Sequence, residues 1–125
     1  MTITIYHNPK CSTSRTVLGL IRAAGEEPTI VEYLKTPPDR ATLGTLIRAT
    51  GGRARALLRA KEPLCAELGL DDPGAGDAAI IAAMLAHPVL IERPIVVTPL
   101  GTRLCRPPEA VHAILPGSKD SRSAS

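Results

Sequence analysis

Two short β-branched runs on either side of a helical pattern constrain this chain more than any other feature. Thr2–Tyr6 (TITIY) alternates and is rich in β-branched residues, as a strand is. Pro9 interrupts it, and Cys11-Ser12-Thr13-Ser14 follows. Val17, Leu18, Leu20, Ile21 and Ala24 then recur at helical spacing. Ser12 or Thr13 is the candidate cap of that helix and Gly25 its stop. Thr29–Tyr33 (TIVEY) reads as a second strand. A strand, a helix and a strand within about 30 residues imply a parallel pair with a right-handed crossover.

Thr36-Pro37-Pro38 punctuates the chain, and Asp39–Thr50 reads as a helix ending at Gly51-Gly52. Arg53–Lys61 and Pro63–Leu70 read as further short helices. Asp71–Asp77 (DDPGAGD) is a turn, with Asp77 the candidate cap of a helix over Ala78–Ala86. Val89–Glu92, Pro94–Thr98 and Thr102–Cys105 read as short strands, the last two joined through Pro99-Leu100-Gly101. Pro107 suits the first turn of a last helix through Leu115. The expected organisation is one α/β domain over residues 1–116, followed by a polar, disordered tail over 117–125 (GSKDSRSAS). Its sheet is mixed, with about four strands flanked by helices. A helical segment separates the β-α-β opening from the β-β-α ending.

A chain of 125 residues can bury a sizeable core without disulfides or metals. That core is aliphatic, because Phe and Trp are absent and aromatic content is 2%. Aromatic platforms for single-stranded nucleic acid are therefore not expected. The formal charge of +3 suits small anions as well as nucleic acid, and no run of five or six like charges marks a nucleic-acid arm. The opening MTITIYH lacks a basic n-region and a long apolar h-region, so no signal peptide is expected. No stretch approaches the roughly 18 apolar residues of a membrane span. Cys11, Cys65 and Cys105 are odd in number and far apart, which fits free thiols in a reducing compartment. A cytoplasmic protein is expected, with no structural metal, since the cysteines do not form the close pairs of a zinc site.

Cys11 lies where a strand ends and a helix begins. Free amides and the positive end of the helix dipole at such a position stabilise a thiolate and attract an anion. A thiol with pKa about 8.5 is only about 3% thiolate at pH 7. One lowered to roughly 6.5, within the range of helix N-termini, is about 75% thiolate. His7, Lys10 and Arg15 are close enough in sequence to add positive charge. The residue three positions on is Ser14, so there is no Cys-x-x-Cys dithiol, and any disulfide chemistry needs an outside thiol, Cys65 or Cys105. The competing reading of Cys11 is a buried structural cysteine, against which the polar Pro-Lys-Cys-Ser-Thr-Ser context argues.

Among the arginines, Arg93 and Arg106 stand out from the usual solvated surface group. Arg93 separates the apolar runs Val89–Ile91 and Pro94–Val97, and Arg106 ends a strand just before a proline. A fixed guanidinium there offers a planar fork to a tetrahedral oxyanion. Arg93–Pro94 is an X-Pro bond, the kind that adopts cis in a minority of cases. Cys105 is expected to pack inward, Cys65 to be structural, and His87 and His112 to have no role.

These segments resemble the glutaredoxin-coupled arsenate reductases, the ArsC family with a thioredoxin-like fold, over roughly residues 2–116. The resemblance rests on Ile5–Arg15 (IYHNPKCSTSR), Tyr33–Pro38 (YLKTPP), Arg55–Arg59 (RALLR) and Arg93–Pro107 (RPIVVTPLGTRLCRP). It implies that Cys11 is the nucleophile, that Arg59, Arg93 and Arg106 bind the oxyanion, and that His7 and Ser14 help lower the thiol pKa. It further implies attack on arsenate to give a thiol-arsenate adduct on Cys11. Glutathione as co-substrate, with a glutaredoxin partner, would reduce that adduct and release arsenite. On this reading the protein is a monomer with no bound cofactor and no metal, and it engages neither nucleic acid nor membrane. Two alternatives remain. One is a redox-responsive regulator of the Spx type that binds RNA polymerase, whose better-known members use the Cys-x-x-Cys switch that Ser14 removes here. The other is a general glutathione-dependent oxidoreductase whose arginines bind glutathione carboxylates.

Overall fold

Alternation in the first strand decides which face of the sheet becomes core. In the computed structural model, which describes residues 2–116, β1 spans Thr4–His7. Ile3, Ile5 and His7 are buried, while Thr4 and Tyr6 between them are half-buried. β1 pairs in parallel with β2 (Thr29–Glu32), matching Ile5 to Ile30, and antiparallel with β3 (Ile95–Thr98), matching Ile5 to Val96. β3 continues antiparallel into β4 (Gly101–Leu104), so the sheet order is β2-β1-β3-β4. This is a mixed four-stranded sheet of the thioredoxin-like kind, with β1 in its interior.

Helix α1 (Ser12–Ala23) joins β1 to β2 and buries Ser14, Val17 and Ile21, a stripe at the helical period. Gly25, at φ 87°, ends it as a left-handed residue. Val17 and Ile21 meet Ile3, Ile5, Val96 and Cys105 from the strands, and Val111, Ile114 and Leu115 from the C-terminal segment. That segment, Pro108–Ile114, is a run of 3-10 helix rather than the α-helix expected there. Thr98 Oγ1 donates to the Ile114 carbonyl at 2.8 Å and pins this run to the end of β3.

The chain divides into two compact units, one built from residues up to Glu32 and from Arg93 onward, the other from Tyr33–Glu92. The second contains α2 (Arg40–Ala49), α3 (Pro63–Glu67) and α4 (Asp77–Ala86). Its apolar interior includes Leu43, Leu46, Ile47, Leu57, Ile80, Met84 and Leu90. Asp39 caps α2 through the Thr42 amide at 2.8 Å. Asp77 does not cap α4; its Oδ1 accepts the Ala54 amide at 3.2 Å, and Gly76 is the capping residue. Arg55 donates to the carbonyls of Leu70, Asp72 and Ala75 at 2.8–3.1 Å, clasping the Gly-rich turn.

Two expected elements are revised here. Helix 53–61 shrinks to a 3-10 turn over Ala54–Leu57, and strand 89–92 becomes a 3-10 turn over Pro88–Leu90. The cause is one mutual rung. Leu58 bridges Ile91, with Arg59 N–H donating to the Leu90 carbonyl at 2.8 Å and Glu92 N–H to the Leu57 carbonyl at 2.7 Å. Backbone groups spent on that rung cannot continue a helix on either side. The tail expected over 117–125 lies outside the described residues.

Ile5 is fully buried at the centre of the sheet. Ile5→Ala should lower unfolding stability by about 2–5 kcal/mol, read as a lower urea midpoint at unchanged m-value.

Candidate active site

Between the end of β1 and the start of α1 the chain has four residues, Asn8-Pro9-Lys10-Cys11, in which to change direction. The Cys11 N–H donates to the Asn8 carbonyl at 3.0 Å, closing a turn with Pro9 at its second position, where a fixed φ is favoured. The Lys10 N–H donates to Asn8 Oδ1 at 2.9 Å. Arg15 reaches back from α1 and donates through Nη1 to the Pro9 carbonyl at 2.8 Å. Neither Ser12 nor Thr13 caps the helix. The capping residue is Cys11 itself, extended at φ −95° and ψ 122°, so its sulfur stands where a capping oxygen usually does.

The Cys11 thiol is half-buried, and its ionisation is a contest. Burial pushes its pKa up. The Ser14 backbone N–H, then the guanidinium groups of Arg93 and Arg106, pull it down, and they prevail. Arg106 Nη1 lies 3.9 Å from the sulfur and also donates to the Arg93 carbonyl at 3.0 Å, which fixes its position. Cys11, Arg93 and Arg106 thus meet in one unit, although 95 positions separate Cys11 from Arg106. The Arg93–Pro94 and Arg106–Pro107 peptide bonds are both cis.

His7 and Ser14 are both buried, and His7 Nδ1 lies 2.6 Å from Ser14 Oγ. Ser14 Oγ also accepts the Asn8 N–H at 3.1 Å. Burial, outweighing the attraction of Glu32 and assisted by Arg15 and Arg22, holds His7 below its ordinary pKa. The imidazole is therefore neutral near pH 7. Ser14 Oγ thus links the His7 ring to the Asn8 amide. His7 reaches the loop as a hydrogen-bond partner, not as the added positive charge that its sequence position suggests.

Arg59 belongs to the other unit. Its Nη1 pairs with Glu92 Oε1 at 2.8 Å, and its Nε lies 3.9 Å from Glu62 Oε2. Cys65 and Cys105 are fully buried. Burial, only slightly offset by Arg103, pushes the Cys105 thiol up to about 12. Among the described residues no His, Cys, Asp and Glu group could hold a metal ion, and no helix is long and apolar enough to cross a membrane. Sequence reasoning gave no role to Asn8, Glu62 or Glu92. An Asn-Pro pair is a turn signal that points to Asn8, whereas no local pattern marks the two glutamates.

These ionisations have consequences for two residues, Cys11 and His7. Iodoacetamide at pH 7 should place one label on the folded protein, at Cys11, and three after denaturation. In Arg106→Ala the alkylation midpoint should move to higher pH, because a cation favouring the thiolate is gone. The second concerns His7, which binds its proton more weakly folded than unfolded. Below about pH 6.5 the unfolded chain gains the proton first, so stability should fall with falling pH in that window. His7→Gln should flatten this part of the stability-pH curve, measured by urea titration at several pH values.

Residues 6–114 match the ArsC family. An arsenate reductase of Rhizobium meliloti (strain 1021) is 60% identical over 116 residues, covering 93% of this chain and 83% of that protein. An arsenate reductase of Escherichia coli (strain K12) is 56% identical over 117 residues, covering 94% and 83%. A solved arsenate reductase from Vibrio cholerae superposes with a TM-score of 0.87 at 47% identity, covering 92% of this chain and 98% of that one. With a thiol at the start of α1, two arginines beside it and likeness along nearly the whole chain, this protein belongs to the ArsC family.

Proposed function

We propose that this protein is an arsenate reductase that turns arsenate into arsenite through Cys11, with glutathione and a glutaredoxin as reductants. The observation that carries the reading is the Cys11 sulfur at the start of α1 with Arg93 and Arg106 acting on it. Cations that stabilise a thiolate also attract the dianion it must attack, so one arrangement serves both reactants. The relatives named arsenate reductase supply the substrate.

In this mechanism the guanidinium forks of Arg93 and Arg106 bind arsenate oxygens, joined by the first amides of α1. Arg59 is the third oxyanion ligand by resemblance, and Glu92 and Glu62 fix its rotamer. The Cys11 thiolate attacks arsenic, a sulfur-arsenic bond forms, and one arsenate oxygen leaves as water after protonation. Two outside thiols then deliver two electrons to arsenic and end as a disulfide. Cleavage of the sulfur-arsenic bond releases arsenite and restores Cys11. An external reductant fits a chain whose other two cysteines are sealed in apolar surroundings. His7 and Ser14 hold the loop that keeps the thiol in place.

The test is NADPH consumption with arsenate, glutathione, glutathione reductase and a glutaredoxin. Wild type should turn over only with arsenate, and Cys11→Ser should lose the activity entirely. Arg93→Ala should lower kcat/KM by at least about tenfold, since a charge-assisted hydrogen bond contributes on the order of 1.5–3 kcal/mol. Arsenate should also slow alkylation of Cys11. A folded wild type with no arsenate-dependent turnover and no such protection would move the assignment to the regulator.

A further inference from the structure

Asn8 is buried to 7% exposure, an unusual place for an uncharged amide at the mouth of a sheet. Its backbone makes two bonds that any residue could make: its N–H donates to Ser14 Oγ, and its carbonyl accepts from Cys11. Its side chain adds a third that few residues could supply. Oδ1 accepts the Lys10 N–H at 2.9 Å and folds back across Pro9. The single peptide unit between Pro9 and Lys10 is thereby held at both edges, by Asn8 Oδ1 on the Lys10 amide and by Arg15 Nη1 on the Pro9 carbonyl. Cys11 is the next residue, and its sulfur sits 3.9 Å from Arg106 Nη1, a separation that a small rotation of the turn would lengthen.

We propose that Asn8 is a positioning residue: its side-chain oxygen locks the turn that presents the Cys11 sulfur to the start of α1 and to Arg106. The role rests on Cys11 being the nucleophile of the proposed reductase. It acts through Cys11 and needs no contact with substrate. Coulomb attraction falls with distance and hydrogen bonding falls faster, so a sulfur free to wander loses much of its advantage. Losing Oδ1 also leaves the part-buried Lys10 N–H without its acceptor.

The experiment is the pH profile of Cys11 alkylation by iodoacetamide in Asn8→Ala, Asn8→Ser and Ile21→Val. It needs no arsenate, so it stands apart from the coupled assay: absent turnover would remove the reductase reading and leave the profile readable. Asn8→Ala should alkylate at least about threefold more slowly at pH 7, with its midpoint at higher pH, because reactivity follows the thiolate fraction. Asn8→Ser keeps a shorter acceptor two residues before Lys10 and should fall between. It also carries the comparison if Asn8→Ala fails to fold. Ile21→Val loosens the core of the same unit and should leave the profile unmoved. A wild-type profile in the Asn8 variants, or an equal displacement in Ile21→Val, would overturn the proposal.

Discussion

Ser14 is fully buried in the first turn of α1, yet its hydroxyl belongs as much to the preceding strand. It takes the Asn8 N–H and faces His7 Nδ1 at 2.6 Å, so three polar groups that burial would otherwise leave unpaired satisfy one another. A buried donor or acceptor without a partner costs about 1–3 kcal/mol, and this joint contains several. That cost fixes where α1 begins and how it leaves β1. The Cys11 loop, strung between those two elements, inherits the constraint. The apolar stripe of Val17 and Ile21 fixes the rotation of the same helix, so packing and polar pairing agree on one orientation.

The two cysteines of this unit show how far surroundings divide one chemical group. Cys105 points into the aliphatic core, where little offsets its burial, and at a pKa of about 12 only on the order of one part in 100,000 ionises at pH 7. Cys11 is also penalised by burial, but an amide and two guanidinium groups reverse the balance. The difference lies in which polar groups the fold aims at each sulfur. Neutral His7 sharpens the contrast, since it joins this network through a hydrogen bond to Ser14 and brings no charge.

Much of this was legible from residue patterns because the controlling interactions are local. The β-α-β opening, the antiparallel pair around Pro99-Leu100-Gly101 and the helix-start position of Cys11 follow from alternation, helical spacing and turn residues. The failures share a cause. Residues 53–61 carry a helical pattern and 89–92 a strand-like one, but each depends on the other through a single bridge between Leu58 and Ile91. Periodicity within either run cannot announce a partner more than thirty residues away. The last segment has the residues of a helix, and the structure forms it as a tighter 3-10 run. At the site, the meeting of Cys11 with Arg93 and Arg106 came from resemblance, whereas the role of the Asn8 amide is tertiary detail that residue types only hint at.

The unit that holds Cys11 is assembled from the two outer portions of the chain, with all of residues 33–92 translated between them. A ribosome therefore makes the cysteine long before it makes either arginine that acts on the sulfur. Central strand β1 likewise waits for β3 on one side while β2 is available on the other. During that interval Cys11 lacks both guanidinium groups and is closer to an ordinary, mostly protonated thiol. The guanidinium groups that favour the thiolate thus reach the sulfur only when the last quarter of the chain has joined the first.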